Sequence, residues 1–178
     1  MADQGASENI KYDGVAKTLH WIVALFMIVM LIFAWDMEDD DTQTLAVHSS
    51  LGLSVLFLML ARLYWRRAHT PPALPAQMPR WQVIASKASH HSLYFFTILQ
   101  ALFGLGQSMY GDLDVRPFGV LEVGVGENET LYELFHELHE LNAMLLVALV
   151  LLHLAAALYH HFVRKDTVLK RILPYGRG

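Results

Sequence analysis

Residues 139–153 read HELNAMLLVALVLLH, a nearly unbroken apolar run with a histidine at each end. Fourteen residues separate the two imidazoles. That is nearly four helical turns, roughly 21 Å along the axis. Both rings therefore point the same way, one near each face of an apolar layer about 30 Å thick. An imidazole in hydrocarbon is costly, so an intramembrane histidine is a functional residue by default.

Working outward, three further stretches approach the roughly 20 residues that a membrane-spanning helix needs. Spans are expected near residues 18–35, 45–65 and 91–110, with the fourth over 141–163. Helix is the economical form, because a lipid-exposed segment must satisfy its own backbone hydrogen bonds. The runs also lack the alternation of a barrel strand. The fourth helix should start outside the membrane, near residue 130. There ENETLYELFHELHEL (127–141) offers a Thr130/Glu133 capping box and leucines at helical spacing. The expected fold is one all-α integral membrane domain over residues 1–178, a four-transmembrane-helix bundle.

Composition agrees. Hydrophobic residues make up 54% and charged residues 17%, too apolar a balance for an ordinary soluble domain. The absence of cysteine removes disulfides, thiolate-held clusters and covalent haem attachment. Charge is segregated. The first connection (36–44) holds five acids and no base, and the third (111–140) eight acids and only Arg116. The second, taken as 62–90, holds Arg62, Arg66, Arg67, Arg80, Lys87 and no acid. With Lys11, Lys17 and the C-terminal tail, twelve of thirteen bases fall on one side. The positive-inside rule makes that side, and both termini, cytoplasmic. Residues 1–17 lack the basic start and apolar core of a signal peptide, so the first span reads as an uncleaved anchor. Trp21, Trp35 and Trp65 flank spans as interfacial anchors, and Pro71, Pro72, Pro75 and Pro79 mark an extended linker.

Depth pairs the histidines. His20 lies at the cytoplasmic end of the first span and His48 at the opposite end of the second. Two levels result, His48 with His139 and His20 with His153. A haem iron takes two axial imidazoles on opposite faces, and bundle cores supply such pairs. Two non-covalent b-type haems follow, and an iron with both axial positions filled suits electron transfer. His160 shares the face of His153 and could replace it. Gly52, one turn after His48, would let a porphyrin approach. Ser49 and Ser50 could hydrogen-bond a ligand ring or a propionate, although helix contact explains such small residues equally well. Lys17, Arg62 and Arg66 are candidates to pair with propionates, and the charge rule explains them too. His136 should be exposed, and His90 and His91, opening the third span, interfacial. A histidine-lined metal or proton pathway is the open competitor.

YDGVAKTLHWIVALF (12–26), HSSLGLSVLFLMLARLYWR (48–66) and LHELNAMLLVALVLLHLAAALYHHFVRKDTVLKRILP (138–174) together resemble the bacterial cytochrome b561 family of dihaem, quinone-linked membrane cytochromes. The resemblance covers nearly the whole chain, and HLAAALYHHFVRKDTVL is its most specific part. It implies the ligand pairs His20/His153 and His48/His139, a multi-pass place in the bacterial inner membrane, and ubiquinone as electron acceptor. Some members are similar to superoxide oxidases, which implies superoxide as donor and an oxidoreductase of the superoxide:ubiquinone type. Other relatives are cytochrome subunits, so a haem-bearing anchor for a dehydrogenase or hydrogenase complex, with a redox partner protein, is the alternative. His160, His161 and Arg62 are candidates for the quinone pocket. Membrane lipid is an expected partner and nucleic acid is not. Thirteen acids against one arginine in the outer loops would repel an anionic donor at long range, and Arg116 is the candidate for a local positive funnel.

Overall fold

Apolar runs of this length fold as helices because only a helix pairs every backbone group within its own segment. The computed structural model describes residues 11–35, 42–75, 77–112 and 115–174. Its helices are α1 (Gly14–Trp35), α2 (Thr42–Ala68), α3 (Arg80–Tyr110) and α4 (Glu129–Phe162). Two 3-10 turns, Pro117–Gly119 and Leu169–Arg171, complete the order, and no strand occurs among the described residues. Residues 1–10, the acidic cluster 36–41, the Trp35 side chain, Asp114 and Arg177 lie outside the description.

By length and composition α1, α2 and α4 can each cross a membrane. The 31-residue α3 is more polar, carrying Thr97, Gln100, Gln107 and Ser108 in its apolar half. That polarity is turned inward. Gln100 and Gln107 hydrogen-bond to α4, and Ser108 donates to the Gly104 carbonyl at 3.0 Å.

The helices start earlier than their apolar runs. α3 begins at Arg80 rather than near residue 91, and α2 continues to Ala68. An apolar run marks the part of a helix that lies in hydrocarbon, not the turns that project into water. Arg62, Arg66, Arg67, Arg80 and Lys87 are therefore helical, and the proline-rich linker shrinks to residues 69–79. α4 starts at Glu129, close to expectation, but Thr130 is not its cap. Asn128 has an extended backbone, and its side chain accepts from the Leu131 amide at 3.1 Å. Asn caps at least as well as Thr, and here it precedes the first turn.

The helices pack in the order α1–α2–α3–α4, most extensively between α3 and α4. Among the described residues α4 makes no close backbone approach to α1 or α2, which leaves a gap between them. The outer faces are apolar, with Ile32, Phe57 and Leu152 more than 60% exposed. Apolar exposure on this scale marks a surface covered by something other than water. At the basic end, the Trp65 indole N–H donates to the Asp13 carboxylate at 3.1 Å, and that of Trp21 to the Ile172 carbonyl at 2.8 Å. The Arg171 guanidinium donates to the Ala73 carbonyl. The N-terminal segment, linker and tail are thereby tied together.

Close packing of α3 on α4 depends on Gly106. A Cβ there would lie 2.7 Å from the Phe135 ring. Gly106→Val should destabilise the α3–α4 contact by about 1–3 kcal/mol, the usual cost of overpacking. Gly14→Ala, where an added Cβ meets nothing within 4 Å, should be neutral. Thermal melts followed by far-ultraviolet circular dichroism in detergent compare the two.

Candidate functional site

α1 and α2 each send one imidazole into the gap, and α4 sends two. His48 and His139 have ring centroids 6.1 Å apart at 69°. His20 and His153 stand 6.4 Å apart at 66°. A metal-bound imidazole nitrogen lies about 2 Å from the metal, with the ring centre about 1 Å farther. Two rings on opposite sides of one iron are thus about 6 Å apart, and both pairs have that spacing.

His139 is held in one tautomer. Its Nδ1 lies 3.1 Å from the Gln100 carbonyl oxygen. A carbonyl only accepts, so Nδ1 carries the proton and Nε2 keeps its lone pair. Metal-bound histidines commonly use their second nitrogen in this way. Gln100 Nε2 in turn donates to the His139 carbonyl at 3.1 Å. Asn142 Nδ2 donates to Gln100 Oε1 at 2.5 Å and to the Phe96 carbonyl at 3.0 Å. Gly104 makes room, since a Cβ there would lie 3.0 Å from His139 Cε1.

A cavity of about 670 Å³ opens beside His48 and His139, with Gly52 and Thr97 in its wall. Two of its buried polar atoms, His48 Nδ1 and Thr97 Oγ1, have no partner among the described residues. A mostly apolar chamber of this size is typical of a cofactor site. Facing imidazoles at iron spacing, a glycine-opened wall and unpartnered polar atoms all fit a b-type haem. The turn Pro117–Gly119 covers this chamber. Phe118 has a φ of +57°, uncommon for a bulky residue. Its amide donates to Ser50 Oγ at 2.7 Å, which fastens the turn to α2. Ser49 and Ser50 Oγ donate to the Ala46 carbonyl, and Ser49 also lines the chamber.

The other pair lies nearer the basic end. Arg62 places its guanidinium 5.2 Å over the buried Tyr94 ring, a cation–π contact, and its charge reaches His20 and His153. His90 does not open its helix. α3 starts ten residues before it, and its ring centroid lies 5.4 Å from that of His153. His91, by contrast, is exposed and bonds the Lys87 carbonyl. His160 donates from Nδ1 to Asp166 at 2.6 Å, and it is His153 that meets His20. His161 Nδ1 is buried without a partner among the described residues. His136 is only partly exposed. It accepts from Gln107 Nε2 at 3.2 Å and lines the cavity. Arg116 sits 3.4 Å from Glu122, which dilutes any positive funnel.

The profile of prokaryotic cytochrome b561 matches residues 11–175. This chain belongs to that family. Cytochrome b561 homolog 1 of Escherichia coli (strain K12) is 29% identical, over 88% of this chain and 93% of its own length. A Yersinia pestis protein named "Probable superoxide oxidase CybB" is 28% identical, over 94% of this chain and 98% of its own. Cytochrome b561 homolog 2 of Escherichia coli (strain K12) is 28% identical, over 92% and 91%. As a cytochrome b561, the chain is a haem b-binding membrane protein of electron transfer.

Thr97, Gln100 and Asn142 carry much of this geometry and do not stand out in the sequence. A signal was there. Thr97, Gln100, Gly104, Gln107 and Gly111 recur at intervals of three and four, which puts polar and small residues on one stripe of α3.

The His160–Asp166 contact gives a pH prediction. Partial burial pushes the Asp166 carboxyl up, but the His160 hydrogen bond, the Val168 amide and the Arg164 charge outweigh it and hold the carboxyl below its usual value. A depressed carboxyl stabilises the fold above its unfolded pKa, about 3.9, and that contribution disappears as pH falls through the lower, folded value. Hydrogen-exchange protection of the Val168 amide, corrected for intrinsic rate, should hold at neutral pH and fall below that range. Asp166→Asn should lack this acid step.

Proposed function

We propose that this member of the cytochrome b561 family is a single-domain, four-span, dihaem cytochrome of the bacterial inner membrane with both termini cytoplasmic. It would carry electrons from a periplasmic donor, superoxide being favoured, to ubiquinone. The observation that carries this reading is the two imidazole pairs, 6.1 and 6.4 Å apart, set at two depths by His139 and His153 of α4. When bound, haem iron with both axial positions filled supplies one-electron exchange. The protein's own part is to hold His20, His48, His139 and His153 as ligands, with His139 fixed by Gln100. The inward-turned polarity of α3 supports a fourth span, and the segregation of basic residues supports the orientation. The relative named as a probable superoxide oxidase supports the donor. The balance is simple: two superoxide anions become two dioxygen, and ubiquinone takes two electrons and two protons. Quinone is assigned to the basic end, where Arg62, His160 and His161 combine cationic and proton-capable groups with an apolar setting.

The pairing of Arg116 with Glu122 favours a second reading. An outer face without a free positive funnel suits a basic protein donor, as for the haem-bearing anchor of a dehydrogenase or hydrogenase complex. Purification separates the two: a lone haem protein that reduces quinone with superoxide supports the first.

The purified protein should hold two low-spin b-type haems per chain by pyridine haemochrome assay, and one at full occupancy would sink the pairing. His48→Ala or His139→Ala should remove the outer haem alone, and His20→Ala or His153→Ala the inner one alone. Loss on His160→Ala, with retention in His153→Ala, would move the inner ligand to His160. Rapid mixing of superoxide with His20→Ala protein in lipid should still reduce the outer haem but not quinone. Unimpaired quinone reduction would put the quinone at the outer level.

A further inference from the structure

Beside the His20–His153 pair stands a third imidazole that the dihaem reading leaves without a role. His90, on α3, has its ring centroid 5.4 Å from that of His153, at 72°. That is too close for an iron between the rings, which needs about 6 Å. It is close to the spacing of two hydrogen-bonded imidazoles. An N–H···N contact of about 3 Å plus the two ring radii comes to about 5 Å.

The helix register points the same way. His90 and Gly104 are fourteen residues apart on α3, as are His139 and His153 on α4. The two helices lie along one another, so equal steps match equal depths. At one level α3 sets Gly104 against His139 and accepts its Nδ1–H on the Gln100 carbonyl. At the other level the same helix sets His90 against His153. One helix thus backs both α4 imidazoles, with a carbonyl at the outer level and an imidazole at the inner.

We propose that His90 is a positioning residue for His153, accepting the N–H of the ring nitrogen that faces away from the iron and fixing the plane of the ring. The inference rests on the dihaem reading. An acceptor on the far nitrogen makes the ligand more basic, which favours the oxidised iron. Removing it should therefore raise the potential of the inner haem and release the ring plane.

The test uses the haem-loaded protein in lipid, with the two haems assigned from the four ligand variants. His90→Phe should keep two haems per chain. Its inner haem should show a higher midpoint potential and a displaced low-temperature EPR g-maximum, with the outer haem unchanged on both counts. His90→Gln, whose amide oxygen also accepts, should move both values back toward wild type. If Phe prevents assembly, His90→Ala with and without added imidazole gives the same reading, with restoration by imidazole expected. An inner haem unaltered in potential and EPR overturns the proposal, and so does failure of both Gln and imidazole to restore it. Loss of the inner haem from every His90 variant while His20→Ala retains it makes His90 itself a ligand, which also overturns the positioning role. A wild-type chain with one haem would instead sink the dihaem reading, so the two failures are distinguishable.

Discussion

The reciprocal hydrogen bonding between α3 and α4 is the interaction on which the rest depends. Between helices in lipid there is no hydrophobic drive, since the chains around them are as apolar as leucine. Association falls to close packing and to polar contacts worth about 0.6–1.7 kcal/mol each. Asn142, Gln100 and His139 supply several such contacts at one depth, and Gly104 and Gly106 bring the helices close enough to make them. The energy gained is modest, and the geometry matters more. With α4 committed to α3, its other face stays clear of α1 and α2, and the imidazoles meet across the space that remains.

The same contacts explain why a polar residue is tolerated there. An amide left bare in hydrocarbon costs several kcal/mol. Gln100 and Asn142 answer each other and the backbone, and so escape that cost. Thr97 Oγ1 and His48 Nδ1 have no such answer among the described residues, and both sit at the wall of the chamber of about 670 Å³. Satisfied polarity at Gln100 and unsatisfied polarity at Thr97 share one stripe of α3, where the helix meets both α4 and the chamber.

Depth was legible in the sequence and azimuth was not. Residue number converts to height along a helix at 1.5 Å per residue, so the levels of His20, His48, His139 and His153 follow from counting, and the ring pairs stand where counting puts them. Which neighbour a side chain meets depends on how helices rotate against one another, and no single-helix pattern fixes that. The sequence therefore does not show that His90 stands against His153 or that His136 meets Gln107. The helix starts escaped for a related reason: hydropathy reports the medium around a segment rather than its backbone, and Arg80–Ser89 is helical beyond the apolar run. The Pro117–Gly119 turn was illegible because it relies on a left-handed Phe118, a conformation that only the packing of Pro117 and the Ser50 contact can impose.

The two levels also differ in field, and on the proposed reading that difference has a direction. Arg62 is part-buried beside the inner pair, held over Tyr94. A unit charge about 8 Å away at an effective dielectric near 20 is worth about 2 kcal/mol, and a cation lowers the energy of whichever state nearby holds the extra electron. The acids at the opposite end, Glu122, Glu133 and Glu140 among them, are exposed and largely screened beyond about 8–10 Å of electrolyte. Their weaker field has the opposite sign and disfavours an added electron at the outer level. Both fields therefore tilt the electron toward the basic end. On that reading, the charge segregation that would orient the chain in the bilayer would also make the inner level the downhill one, with no separate device required to give the transfer its direction.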